Sequence, residues 1–314
     1  MSLTEEQLDR ALSHIEYPRS QHAADPLRRL QQLMLHHVAR VPFENVGLHY
    51  NPTHRLSLAL DDLFDKIVVR SKGGYCLELN ALFAAILRGL GYTVLTVGGR
   101  AGASDFLLSR RLSSRTNTFP LSRGGSKVPH VPARHDRRRA PFPLISGTEF
   151  TVLAPRRGRL EYRSIDLHTD PTQRLWVYST RDSLDDDAAP WVEQYCFVEL
   201  EHFAADYHQM NYYTSTNPQS FFMPHLLAVR ALVAPDPATP GDVRLAGMLT
   251  YWRDEVRRRS EGSMERRVVD TATTEAERIA ALEKWFGIPL TEADRESIFS
   301  TGLALDRGPE QPIQ

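Results

Sequence analysis

Apolar positions at Leu8, Leu12 and Ile15 recur at helical spacing behind Thr4, and Glu5, Glu6 and Gln7 follow in the order of a capped helix start. Pro18 ends that segment. Leu27, Leu30, Leu33 and Met34 predict a second helix over about 26–38, with His36 and His37 near its end as cations complementing the helix dipole. A third helix, 58–69, ends in β-branched residues. The strongest stripe is Leu79, Leu82, Phe83, Ile86, Leu87 and Leu90, closed by Gly91, which predicts a helix over about 77–90. Beyond Gly91 the period shortens to two. Tyr92, Val94 and Thr96 alternate as a strand over 92–98, and strands follow at 149–154, 160–165, 175–178 and 195–199. Turns separate them at Pro155-Arg156-Arg157-Gly158 and Thr169-Asp170-Pro171, and at an acidic loop over 182–190. Strands at 226–232 and 245–252 flank a proline-rich loop, and Thr274 then caps a helix carrying Ile279, Leu282 and Phe286. A short helix at 291–300 precedes a frayed tail, 308–314.

Composition narrows the class. The 314 residues carry a net charge of −1 with a pI near 6.9, which gives no electrostatic basis for nucleic acid or a membrane surface as main partner. No apolar run reaches the roughly 18–20 residues of a membrane span, and the acidic, helix-opening N-terminus predicts neither a signal nor a transit peptide. Two cysteines, Cys76 and Cys196, form neither a disulfide framework nor a metal-ligand spacing, so no metal is expected and a reducing, cytoplasmic setting is.

Candidate chemistry gathers at Cys76. The pattern sets it at a helix N-terminus, after Gly73-Gly74 and close to Arg70 and Lys72. Helix dipole and neighbouring cations both favour thiolate over thiol, and glycines allow a tight turn that leaves the sulfur approachable. A buried structural thiol is the other reading of the same pattern. Cys196, between Tyr195 and Phe197 in a strand-like run, reads as packing.

Val41-Pro42-Phe43-Glu44-Asn45-Val46, followed by Lys72-Gly73-Gly74-Tyr75-Cys76-Leu77-Glu78-Leu79-Asn80, resembles the arylamine N-acetyltransferases, particularly fungal members. The resemblance implies an α+β fold: a helical bundle with a cysteine-protease-like core (1–92), a β-barrel (93–210) and an α/β lid (211–314). It implies that Cys76 is the acetylated nucleophile, that Glu44 pairs with Lys72, where the family has arginine, and that Phe43 walls the substrate cleft. The run containing Thr214, Ser215 and Asn217 resembles a crossing segment beside the coenzyme A cleft, although such residues also form turns. Arg257-Arg258-Arg259 and Arg266-Arg267 read either as phosphate contacts or as surface charge. The implied activity is acetyl transfer from acetyl-coenzyme A, a co-substrate and not a bound cofactor, to an arylamine or arylhydrazine, a detoxifying role. Alternatives are a cysteine hydrolase or transglutaminase-like enzyme, or a catalytically dead relative binding coenzyme A or a partner.

One segment departs from the pattern. The family sets a histidine roughly 40 residues after the cysteine and an aspartate about 15 further on, as activated thiols require. Residues 101–142 instead carry nine Lys and Arg against Asp105 and Asp136, a charge of 9 − 2 = +7, with no strand alternation, and so predict a basic surface segment. His130, as base, and Asp136 are the candidates for the missing roles, with His135 beside Asp136. The segment reads either as a diverged loop or as a stretch translated out of frame between two correct ends. One nucleotide out of phase, the codons of Leu112-Ser113-Ser114 permit Ser-His-Leu, which restores a histidine near the family spacing.

Overall fold

A computed structural model describes residues 2–101, 116–123, 131–132, 144–182 and 189–306. The N-terminal helices form where capping and apolar spacing agree. In α1 (Glu5–His14) the Thr4 hydroxyl accepts from Gln7 N–H at 3.1 Å and the Gln7 side chain returns the bond at 2.9 Å. Asp25 caps α2 (Pro26–Arg40), whose first residue is a proline that has no N–H to leave unsatisfied. A short α3 (Leu60–Phe64) widens into a single turn over Asp65–Val69. Helix α4 (Cys76–Gly89) ends at Gly91, whose φ of +83° is the left-handed conformation the sequence assigned to it. Leu12, Leu33, Leu79, Phe83 and Ile86 form the core shared by these helices.

His36 and His37 are not the end-capping cations expected from their place in the helix. His37 is fully buried with its ring 4.9 Å from that of Phe83, and His36 stacks on Tyr17. Burial holds the His36 imidazole below its ordinary range, which disfavours a cation there.

The chain then builds two antiparallel sheets. One runs in the order β4-β3-β2-β8-β7-β6-β5, from β2 (Thr93–Ala101), β3 (Thr116–Arg123), β4 (Val131–Pro132), β5 (Thr148–Leu153), β6 (Arg156–Arg163), β7 (Leu175–Arg181) and β8 (Val192–Glu201). Val97, Leu160, Trp176, Tyr178, Tyr195 and Phe197 fill its apolar side. The other sheet, in the order β1-β9-β10-β11-β12, combines β1 (Phe43–Glu44) with β9 (Leu227–Pro235), β10 (Val243–Trp252), β11 (Glu255–Ser260) and β12 (Arg267–Thr271). Helix α6 (Glu275–Ala281), with the turn that follows it to Phe286, packs Leu282 and Phe286 against Leu249 and Tyr251, and α7 (Glu292–Ser297) follows. Gly287, at φ +69°, stops the first of these helices. The result is a mixed α/β fold. Among the described residues no helix is long and apolar enough to cross a membrane.

The structure corrects one sequence expectation and adds two elements. The basic stretch is not irregular in its described part: residues 116–123 form β3, which pairs with β2 from Thr93↔Arg123 to Arg100↔Thr116. A ladder is made of backbone N–H and C=O groups, so side-chain alternation is not required to form it. The segment likened to a crossing beside the coenzyme A cleft carries helix α5 (Ala204–Thr216), which the sequence pattern does not predict because its exposed and buried residues follow no strong apolar stripe. Arg257, Arg258 and Arg259 are strand residues of β11, a strand the sequence pattern missed because charged residues dominate it.

Candidate active site

Cys76 is the first residue of α4, preceded by Tyr75 in extended backbone, and is only 5% exposed. The turn before it is fastened to β1. Glu44 N–H donates to Gly74 O at 2.9 Å, and Gly74 N–H to Pro42 O at 3.3 Å. That closeness is what demands the two glycines. A Cβ on Gly73 would lie 2.1 Å from the Pro42 carbonyl oxygen, and one on Gly74 would lie 2.9 Å from the Glu78 side chain. Neither adopts a positive φ; the left-handed residue of the turn is Ser71, at 53°. The glycines serve close approach, not a bend.

Cys76 shares an apolar cluster with Tyr75, Leu77, Phe222, Leu227, Val229 and Met248. Phe43, half-buried at its margin, has its ring 6.4 Å from that of Phe222. Beside Leu77 a cavity of about 290 Å³ runs along Ala81 and Ala84, with Arg88, His202 and His208 among its polar lining. Cys196 sits on β8, 3% exposed, and burial pushes its thiol up, so it is the packing residue the sequence indicated.

The ion pair expected between Glu44 and Lys72 is absent. Lys72 Nζ reaches Asp294 Oδ2 on α7 at 2.6 Å instead. The cation near Glu44 is Lys66, 3.7 Å from Glu44 and 2.8 Å from Glu78 Oε1. Both carboxylates are 1% exposed, and each accepts a backbone N–H: Glu44 from Val46, Glu78 from Tyr75 at 3.0 Å. The two charges pull Lys66 into the space behind the turn, while among the described residues Lys72 pairs with Asp294. Arg70, the other flanking cation, pairs with Asp65 at 2.7 Å, with both side chains half exposed.

Thr214, Ser215 and Asn217 occupy the last turn of α5 and its cap. Ser215 Oγ donates to Asn211 O at 2.6 Å, Thr214 O accepts from Ser220 Oγ at 2.6 Å, and Asn217 Oδ1 accepts from Gln219 N–H at 2.8 Å. The two side-chain oxygens with these bonds are spent on local backbone, as turn and helix-end residues usually are. His130 and Asp136 lie outside the described residues.

Sequence reasoning missed several residues that shape the site. Asn45 donates from Nδ2 to Phe222 O at 2.9 Å and to His225 O at 2.6 Å, and accepts from Leu227 N–H at 2.9 Å. His49 Nε2 lies 3.0 Å from Phe222 O, which also accepts from Asn45. The Tyr75 hydroxyl donates to Asn211 on α5, and Asn211 Nδ2 donates to Leu56 O at 2.8 Å. Asn45 and His49 stand four apart in a stretch otherwise apolar, the one local signal that they share a task. Asn211 and Phe222 carry no such signal.

Comparison with known proteins supplies a family. The N-acetyltransferase family model matches residues 26–105. An N-malonyltransferase of Gibberella moniliformis is 34% identical over 291 residues, which cover 86% of this chain and 80% of that protein. Arylamine N-acetyltransferase 2 of Macaca mulatta is 27% identical over 221 residues, 66% of this chain and 72% of the relative. The structure of Mycobacterium marinum arylamine N-acetyltransferase in complex with CoA superposes with a TM-score of 0.70 at 24% identity, covering 94% of this chain and 99% of that one, a likeness of fold.

Proposed function

Because this chain belongs to the arylamine N-acetyltransferase family, we propose that it carries an acyl group from acyl-coenzyme A to an amine nitrogen through a thioester on Cys76. The Cys76 thiolate attacks the thioester carbonyl, the carbon–sulfur bond to coenzyme A breaks, and coenzyme A leaves as a thiol after taking a proton. The amine then attacks the acyl-cysteine carbonyl, loses a proton, and departs as the amide while Cys76 returns as thiolate. Thioester exchange is nearly balanced, so the acyl-enzyme keeps enough driving force to form an amide. The observation that carries this reading is the position of Cys76 at the first residue of α4, behind a glycine turn clamped to β1. Phe43 and Phe222 give the acceptor an apolar wall suited to an aromatic amine. A reducing cytoplasm is the setting proposed, in keeping with two free cysteines.

The donor is acetyl-coenzyme A in the reading from the sequence. A malonyl donor is the second reading, favoured by the 34% identity to an N-malonyltransferase. Intact mass of the protein after brief incubation with acetyl- or malonyl-coenzyme A separates them, and peptide mapping locates the group. The expected outcome is one acyl group on Cys76, absent in Cys76→Ala, with Cys196 unmodified. Acylation at Cys196 alone, or none with either donor, overturns the proposal, and an acyl-enzyme discharged only to water points to the hydrolase reading.

Transfer to the amine is expected to be slow in this chain. A positioned base contributes roughly 10²–10⁴-fold, and residues 101–142 lack the family's histidine–aspartate word, leaving His130 and Asp136 as the candidates. Turnover at ordinary family rates that survives His130→Ala would remove His130 from the base's role.

A further inference from the structure

The cations that flank Cys76 in sequence are committed elsewhere in space: Arg70 to Asp65 at 2.7 Å, Lys72 to Asp294 at 2.6 Å. Two carboxylates remain behind the cysteine turn, Glu44 on β1 and Glu78 on α4, both 1% exposed. Glu78 is two residues beyond Cys76 and folds back past Gly74 to the N–H of Tyr75, which places its charge at the same helix end that presents the thiol. Each carboxylate accepts one backbone N–H, Glu44 from Val46 and Glu78 from Tyr75, and burial raises the Glu78 carboxyl above its ordinary range against the pull of Lys66. Negative charge on either carboxylate opposes a thiolate forming at that helix end. Lys66 is the ammonium that faces them, at 2.8 and 3.7 Å, and it reduces the charge behind the turn from −2 to −1. Among the described residues, the apolar cluster that holds Cys76 also takes Leu227, Val229 and Met248 from β9 and β10, and Tyr207 and Met210 from α5.

We propose that Lys66 is a positioning residue for acyl transfer: its ammonium balances Glu44 and Glu78 behind the glycine turn and thereby governs how readily the Cys76 thiol ionises. The proposal rests on the reading of Cys76 as the acylated thiol, and its test does not use acyl-coenzyme A. The rate of Cys76 alkylation by iodoacetamide, followed by peptide mapping against pH in the full chain, reports the thiolate directly. In Lys66→Met the midpoint of that profile moves up by on the order of one pH unit, a roughly tenfold slower reaction at neutral pH. In Glu78→Gln, which keeps an oxygen to accept the Tyr75 N–H and removes one negative charge, the midpoint moves down. Lys66→Arg stays near the parent. A merely structural role shifts both neutral variants the same way, or neither, and either result in variants with intact melting transitions overturns the proposal. If Lys66→Met does not fold, the downward shift in Glu78→Gln decides alone. Opposite shifts without any acylation of the parent by acyl-coenzyme A would sustain the electrostatics and sink the acyl-transfer reading.

Discussion

His49 shows what one buried residue contributes here. It is 1% exposed, and its ring lies between Asn45 and the Phe222 carbonyl, where it fixes the aromatic wall beside Cys76. Burial holds the imidazole down at about 4 from its usual 6.5. Because the folded value is the lower one, the unfolded chain binds the extra proton between these two values, and stability falls as pH drops through that window. Above 6.5 the contribution is complete; by pH 4 on the order of 3 kcal/mol is gone. Thermal melts from pH 7.5 to 4 are expected to show this loss, and His49→Gln, which keeps a donor for the Phe222 carbonyl, is expected to lose less over the same range. Equal slopes in the two proteins would show that other groups govern the acid limb.

Among the elements, the cysteine turn and β1 act as one unit. Gly73 meets the Pro42 carbonyl so closely that no side chain fits, and the bonds through Gly74 continue the contact into the Phe43–Glu44 strand. Gly73→Ala must push backbone from backbone, and is expected to cost about 1–3 kcal/mol as overpacking, with faster alkylation of Cys76 as the turn opens. A urea melt and the alkylation rate together check this; unchanged values in both would mean the two segments part at no cost. The same unit is tied to α7 through Lys72 and Asp294. It is tied to α5 through Tyr75 and Asn211.

For the whole molecule, the decisive feature is that β1, from the N-terminal third, pairs with β9 through Phe43↔Val229 and Glu44↔Ala228, so the cysteine turn is built into the edge of the second sheet. Arg278 fixes that sheet's helices in turn. Its side chain, 3% exposed, donates to Asp254 at 2.9 Å, Glu275 at 3.0 Å and Leu303 O at 2.8 Å, while Tyr50, from the N-terminal third, donates its hydroxyl to Glu275. Arg278→Met leaves Glu275 buried without that cation, and the expected loss is about 3–5 kcal/mol. A drop in melting temperature within experimental noise would show that the cluster is dispensable.

Much of this was written locally in the chain. Thr4 and Thr274 cap their helices with the partners three residues on that the pattern indicated. Gly91 and Gly287 stop theirs, and Cys76 stands at the helix start its neighbours predicted. These features depend on residues within a turn or two of one another, which is the range over which periodicity and capping act. The charge partners of the site were not legible. Lys66 and Lys72 are equally plausible on sequence grounds as partners for Glu44, and the choice fell to Lys66 because Asp294, 222 positions away, takes Lys72. Helix α5 and the β3 ladder were hidden for a related reason: the first lacks a strong apolar stripe, and the second is held by backbone groups common to every residue. Sequence fixes which residue can start a helix or close a turn, because that is a property of the residue and its near neighbours. Which carboxylate a lysine meets depends on distances that exist only after the chain has packed.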